Sequence, residues 1–137
     1  MRIEIKDHTS SLVFKEFRKQ VGWDQGPRFL HVKVSFTSSM LSVKTDLDYE
    51  LSDFKDFYND LTKMQVGIFR TFYFQHLDER LRLKLHLDER NRIKIDGELL
   101  DESYMNVVNF QINIDQSYIP SILLQIERVL EIGRVTN

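Results

Sequence analysis

The sequence predicts an α+β domain in which an antiparallel, meander-rich β-sheet carries two amphipathic helices, giving a two-layer architecture. Apolar and polar residues alternate along most of the chain, which is typical of strands with one buried face. Two segments instead repeat their apolar residues at helical spacing. Only 5 Gly and 2 Pro occur among 137 residues, which argues against long linkers. We therefore expect one domain over residues 1–137 without internal repeats, with strands and a loop in residues 1–27 and a frayed tail over residues 133–137.

The first strands are predicted in chain order. Residues 1–18 alternate as one or two short strands, and residues 21–27 form a loop because they contain both Gly and Pro. Residues 29–36 alternate cleanly, and the pattern resumes over residues 41–47. Pairing Phe36 with Leu41 keeps the two apolar faces together, and Leu41, Val43, Thr45 and Leu47 are then expected to point inward.

The period changes to that of a helix after residue 50. The apolar stripe of this helix consists of Leu51, Phe54, Phe57, Tyr58, Leu61 and Met64. Glu50 or Ser52 is expected to begin the helix, and Gly67 to end the connection that follows. Residues 68–76 are apolar and aromatic on both faces, which predicts a central strand covered on both sides or a strand at a tight interface.

A leucine-rich hairpin gives the clearest signal in the chain. Residues 81–87 and 92–96 alternate around a polar turn, and matching their apolar faces pairs Leu87 with Ile93. The same register places Lys84 opposite Asp96, so the basic strand face is expected to neutralise itself. A last strand over residues 107–114 precedes a second helix, which Asp115 or Ser117 is expected to cap.

Local signals for catalysis are missing from the sequence. Without cysteine, disulfides and thiolate chemistry are excluded, and the four histidines are scattered, so each is expected to be an exposed polar residue. No phosphate-binding glycine loop, G-x-S-x-G or H-E-x-x-H motif occurs. We therefore expect no enzyme activity, no cofactor and no metal.

An acidic constellation is the best candidate for a partner-binding surface. It comprises Asp46, Asp48, Asp53, Asp56 and Asp60, with Glu50 nearby and only Lys55 as local compensation. The last three lie at i, i+3 and i+7 and share one helix face. Two interpretations of this stripe remain open. It is either a solvated helix face or a docking surface for a basic partner.

The C-terminal half resembles a known family. Residues 107–120 (VVNFQINIDQSYIP), followed by an amphipathic helix, and residues 93–99 (IKIDGEL) are similar to the WapI family of bacterial immunity proteins, over about residues 28–132. The resemblance implies a cytoplasmic antidote that binds the C-terminal toxin domain, often a nuclease, of a large cell-surface protein. Inhibition is then by occlusion, and the Asp115 motif carries over only as a strand end and helix cap.

Two other arrangements remain open from the sequence. A small-molecule or regulatory ligand could bind beside the aromatic strand, in a pocket lined by Tyr73 and Tyr104 or Trp23. Self-association into a homodimer could use the aromatic strand or an unpaired sheet edge. The near balance of charge, net −2, argues against direct nucleic-acid binding. A cytoplasmic location is expected, because no signal-peptide or membrane-length apolar run occurs.

Overall fold

The computed structural model describes residues 1–20, 28–76 and 78–133. The strands are β1 (Arg2–Lys6), β2 (Ser10–Lys19), β3 (Phe29–Ser38), β4 (Ser42–Glu50), β5 (Thr71–Gln75), β6 (Leu81–Leu87), β7 (Arg92–Leu100) and β8 (Val107–Asp115). The helices are α1 (Leu51–Gln65) and α2 (Ile119–Leu130), with 3₁₀ turns at Gln116–Tyr118 and Glu131–Gly133. The predicted loop at residues 21–27 and the tail beyond residue 133 lie outside the described residues.

The strands form two antiparallel four-stranded sheets, ordered β1-β2-β3-β4 and β5-β6-β7-β8. Each sheet is a meander followed by one helix, so the same ββββα order occurs twice along the chain. The predicted α+β class is confirmed, but the strands divide between two sheets rather than forming one. The repeat exists in the topology and was not predicted from the sequence.

Both sheets and both helices contribute to one hydrophobic cluster. Phe36 of the first sheet stacks on Phe110 of the second with ring centroids 4.2 Å apart, and Tyr49 stacks on Phe74 at 5.5 Å. From α1, Phe57 stacks on Phe74 at 4.5 Å. Edge and stacked aromatic contacts of this kind add about 0.5–1.5 kcal/mol each beyond the burial of their area. The sheets are therefore coupled through their aromatic side chains.

The β3–β4 hairpin differs from its predicted register by two residues. Phe36 pairs with Val43, not Leu41. The turn closes through the hydrogen bonds between Ser38 and Leu41, so Leu41 lies in the turn and is 42% exposed. A shift of two residues keeps every strand side chain on its predicted face, and Thr45 and Leu47 are buried as expected.

The aromatic segment before residue 76 is not a central strand. The strand in this segment, β5, lies at the edge of the second sheet and pairs with β6 alone among the described strands. Phe72 and Phe74 are buried, whereas Tyr73 is 58% exposed. Phe69 precedes the strand, and the Lys63 ammonium lies 5.4 Å from its ring centroid. The aromatic density misled the prediction because only alternate rings of β5 enter the core.

The leucine-rich hairpin has its predicted register. Leu87 pairs with Ile93, and Lys84 lies opposite Asp96. Arg82 also lies opposite Glu98, with Arg82 Nη1 3.8 Å from Glu98 Oε2. The prediction that basic strand side chains meet acidic ones across this hairpin is confirmed.

Helix α1 begins at a predicted cap, and a predicted cap also begins the 3₁₀ turn before α2. The side chains of Glu50 and Asp53 form a reciprocal capping box at the start of α1. Asp115 accepts a hydrogen bond from the amide of Ser117 at 2.9 Å and so caps the turn that leads into α2. After α1, Gly67 has a φ of +84°, a conformation that glycine adopts without steric cost.

Candidate protein-binding surface

The five carboxylates predicted to bind a partner fall into two groups. Asp46 and Asp48 point outward from β4, and the acidic stripe, defined as Asp53, Asp56 and Asp60, lies on α1. The stripe lines one side of a groove of about 200 Å³. Neither Asp46 nor Asp48 contributes to this groove.

Asp46 and Asp48 both lie beside a histidine from the neighbouring strand. His31 Nδ1 lies 2.9 Å from Asp48 Oδ1, and His31 Nε2 lies 3.6 Å from Asp46 Oδ1. The register of β3 and β4 also places Lys33 opposite Asp46. Lys55 is the only basic residue close to these carboxylates in the sequence, and the structure adds His31 and Lys33 beside Asp46 because cross-strand neighbours lie far away in sequence.

Asp53 serves the helix as well as the stripe. Its Oδ2 accepts a hydrogen bond from the amide of Glu50 at 2.9 Å. Burial raises the pKa of Asp53 above its ordinary value, the Glu50 amide opposes this, and the nearby Glu50 and Asp56 carboxylates raise it further. A free energy of about 1 kcal/mol is typical for such a cap, so Asp53 cannot be exchanged without affecting the fold.

Asp56 and Asp60 form the part of the stripe without a capping role. Burial raises the pKa of Asp60; Lys63 works against this shift, and Asp56 adds to it. Across the groove from the stripe lie Tyr73 and Gln75 of β5. The groove therefore combines carboxylates with the outer edge of the second sheet, a combination that the sequence did not predict.

The outer edge of β4 is covered by two side chains from the connection between β5 and β6. His76 Nε2 donates to the Asp48 carbonyl at 2.8 Å, while its Nδ1 accepts from the Asp78 amide at 3.2 Å. Since a carbonyl only accepts, this fixes the proton on Nε2. Arg80 donates to the Asp46 carbonyl at 3.2 Å. His76 is only 5% exposed, so the expectation that every histidine is exposed was wrong for this one.

The pocket expected beside the aromatic strand takes a different form. Tyr73 borders a depression of about 380 Å³ on the outer face of the second sheet, whose other walls include Arg82, Lys84 and Glu98. Tyr104 instead packs under the Arg80 guanidinium, 4.3 Å from its ring centroid. Trp23 lies outside the described residues. The depression is open, and four of its ten lining residues are charged strand residues of both signs.

Two further findings concern metals and membranes. In residues 1–20, 28–76 and 78–133, no three His, Asp or Glu side chains come together in a way that could hold a metal ion. Over the same part of the chain, neither helix has the length and apolarity needed to cross a bilayer.

Comparison with protein families gives a match to the Immunity protein WapI-like family over residues 2–132. The chain belongs to this family. The match includes the two N-terminal strands, which the resemblance seen in the sequence did not cover. Membership indicates a toxin-neutralising role, and proteins of this family are in general not catalysts.

Solved structures share the fold at low sequence identity. The plant transcriptional regulator PBF-2 matches with a TM-score of 0.55 and 15% identity, covering 98% of this chain and 83% of that one. The MRP1/MRP2 structures from Trypanosoma brucei match with a TM-score of 0.53 and 4% identity, over 98% and 85% of the two chains. WHY1 from Arabidopsis thaliana matches at 0.50 and 12%, over 96% and 88%. No curated protein matches the sequence.

Proposed function

We propose that this protein binds the C-terminal toxin domain of a bacterial cell-surface protein and neutralises it by occlusion, without catalysis, in the cytoplasm. The family match over residues 2–132 carries this proposal. The toxin domain is proposed to be a nuclease, because a domain that grips a polyanion is basic and would complement an acidic surface on its inhibitor.

The acidic stripe on α1 is proposed as the centre of the contact surface. It faces a groove whose opposite wall is the exposed side of β5, so a partner could reach carboxylates and sheet edge together. Charge of one sign at an interface accelerates association with an oppositely charged partner and fixes its orientation. Asp46 and Asp48 are proposed to have a peripheral role, since His31 already lies between them.

A small-molecule site is the weaker candidate. The depression on the outer face of the second sheet has a volume within the usual range for ligands, but such sites are mostly apolar and enclosed. Here Arg82 pairs with Glu98, and Lys84 lies opposite Asp96. A ligand would have to compete with the Arg82–Glu98 ion pair.

Direct nucleic-acid binding is also disfavoured. A surface for single strands needs basic side chains without acidic partners, interleaved with exposed aromatic rings. Tyr73 is an exposed ring, but the basic residues beside it face carboxylates across the hairpin. The likeness to a plant transcriptional regulator lies at 15% identity and bears on fold alone.

Co-expression with the C-terminal domain of the large surface protein encoded beside this gene tests the proposed function. The wild-type chain is expected to protect the cells and to co-purify with the toxin domain. Cells that die despite full expression of the chain, with no complex recovered, would contradict the immunity role.

A charge-reversed variant tests the contact surface. Asp56→Lys/Asp60→Lys removes the stripe outside the capping box, and we expect it to weaken binding by about tenfold or more and to reduce its salt dependence. The matched control is Glu89→Lys/Glu102→Lys, which changes the net charge equally at two exposed positions in turns. Equal affinity of both variants would show that the stripe is not the contact surface.

A further inference from the structure

The outermost strands of a sheet expose unpaired main-chain groups, and proteins usually cover them. Three of the four outermost strands here have such groups held by side chains. The carbonyls of β4 are held by the side chains described above. On β1 the Gln125 side chain accepts from the Glu4 amide at 2.7 Å, and on β8 the Asp7 carboxylate accepts from the Asn113 amide at 2.9 Å.

The fourth outermost strand, β5, presents its main chain in a fixed alternation. The amide of His76 donates to the carbonyl of Leu81, and the amide of Leu87 donates to that of Arg70, both at 2.8 Å. Since hydrogen-bonded pairs alternate along an antiparallel ladder, even-numbered residues of β5 face β6. The residues that direct their amides and carbonyls outward form the β5 edge: Thr71, Tyr73 and Gln75.

The β5 edge is open. Within the part of the chain that the structure describes, no main-chain hydrogen bond engages the outward groups of this edge, and no side chain caps them. The side chains of its three residues are also exposed. The edge of β5 thus differs from the other three edges, each of which has at least one main-chain group held by a side chain, and it offers a template for one more strand.

The acidic stripe determines which strand fits. Tyr73 and Gln75 share their groove with the stripe, so a chain added at the β5 edge would run beside three carboxylates. The stripe spans seven residues of helix, about 10 Å. Two basic side chains on the same face of an added strand lie about 7 Å apart, so both would lie within reach of the stripe. A second copy of this chain would instead bring two acidic stripes together, which like-charge repulsion disfavours.

We propose that the β5 edge is the docking site for an extended, basic segment of the toxin domain, which adds to the second sheet as an additional strand. The proposal rests on the proposed function, because it names the contact through which neutralisation occurs. Main-chain hydrogen bonds would hold the segment in register, and lysine or arginine at alternate positions would face the stripe. Recognition would then need a charge pattern on the segment and not one fixed sequence.

Amide hydrogen exchange followed residue by residue by NMR tests the proposal on the wild-type chain. In the free protein the amides of Thr71, Tyr73 and Gln75 are expected to exchange quickly, and those of Phe72 and Phe74 slowly. On adding the toxin domain, the three outward amides should become protected. A complex that forms while these amides still exchange quickly would overturn the docking site and leave the proposed function intact.

Absence of any complex would overturn the docking site and the proposed function together. Protection of the same amides in the concentrated free protein, with a doubled mass in light scattering, would show that a second copy is the occupant and would overturn the assignment to the toxin.

A proline variant gives an independent test of the edge. Tyr73→Pro removes an outward amide without breaking the β5–β6 ladder, whereas Tyr73→Val removes the same ring and keeps the amide. We expect Tyr73→Pro to bind the toxin domain at least about tenfold more weakly than Tyr73→Val. The matched edge control is Asn109→Pro on β8, whose amide also points away from its partner strand. Equal affinities of Tyr73→Pro and Tyr73→Val, with both variants folded, would contradict docking at β5.

Discussion

A methyl group added at Gly97 should destabilise the contact between the two sheets. Gly97 lies on the buried face of β7 opposite Phe110 of β8, and the Phe110 ring lies across it. A Cβ atom built on Gly97 would overlap the far end of that ring, at its Cζ, Cε1 and Cε2 atoms. The ring cannot yield freely, because its other face stacks on Phe36 at 4.2 Å.

The expected cost follows from three contributions. Overpacking of a buried site costs about 1–3 kcal/mol, and loss of the aromatic stack costs about 0.5–1.5 kcal/mol. Replacing glycine lowers the entropy of the unfolded chain, which offsets this by about 0.4–1 kcal/mol. Gly97→Ala should therefore lower the free energy of unfolding by about 2 kcal/mol.

Urea denaturation of a double-mutant cycle measures this effect. Phe110→Leu removes the ring atoms that the new methyl group would meet, so Gly97→Ala should cost little in that background. The expected coupling energy between the two positions is about 2 kcal/mol. Each variant should unfold in one transition detected by both far-ultraviolet circular dichroism and fluorescence, if the chain is one domain. Additive costs would refute the ring's position over Gly97.

Three further predictions concern the helix cap, the covered edge and the charge of the stripe. Asp53→Ala should lower the free energy of unfolding by about 1 kcal/mol in thermal or urea denaturation. Asp53→Glu should keep most of the stabilisation that the cap provides, and equal losses in the two variants would contradict the capping box. Arg80→Met releases the carbonyl of Asp46, so it should increase self-association in light scattering relative to wild type; a mass equal to that of wild type would contradict the covering role. Because burial raises the pKa of Asp60 above 3.8, its charge is lost at higher pH than that of an exposed aspartate; toxin affinity should fall as pH decreases through that range, and calorimetry on Asp60→Asn should show a weaker dependence.

Local patterns predicted much of the secondary structure and one complete register. The leucine-rich hairpin was predictable because apolar alternation and charge pairing both require Lys84 to face Asp96. The helix α1 was predictable because its apolar period and its acidic cap agree. In each case two independent signals along the chain point to the same arrangement.

The division into two sheets was not predictable in the same way. The strand patterns are the same for one sheet of eight strands and for two sheets of four. The second sheet begins after α1, which connects β4 to β5 along the chain. Because β5 is the first strand of the second sheet, it lies at an edge. Its aromatic residues had instead indicated a central strand. The alternating exposure of Phe72, Tyr73 and Phe74 depends on tertiary packing, which a short stretch of sequence does not reveal.

The candidate surface was half predictable. The spacing of Asp53, Asp56 and Asp60 on one helix face was visible in the sequence, and the structure places all three on one groove. That Asp46 and Asp48 lie outside this groove and beside His31 was not visible, since both facts depend on tertiary neighbours. The contribution of Tyr73 and Gln75 to this groove depends on the edge position of β5, which the sequence did not indicate.

Titration of the purified toxin domain with the purified wild-type chain tests the central claim most directly. Toxin activity is measured at increasing ratios of the two proteins, and the mixture is separated by size to detect the complex. Neutralisation by occlusion predicts that activity falls to background at a fixed molar ratio, together with formation of a stable complex whose affinity decreases at high salt. Full toxin activity in a large excess of correctly folded chain would contradict the account.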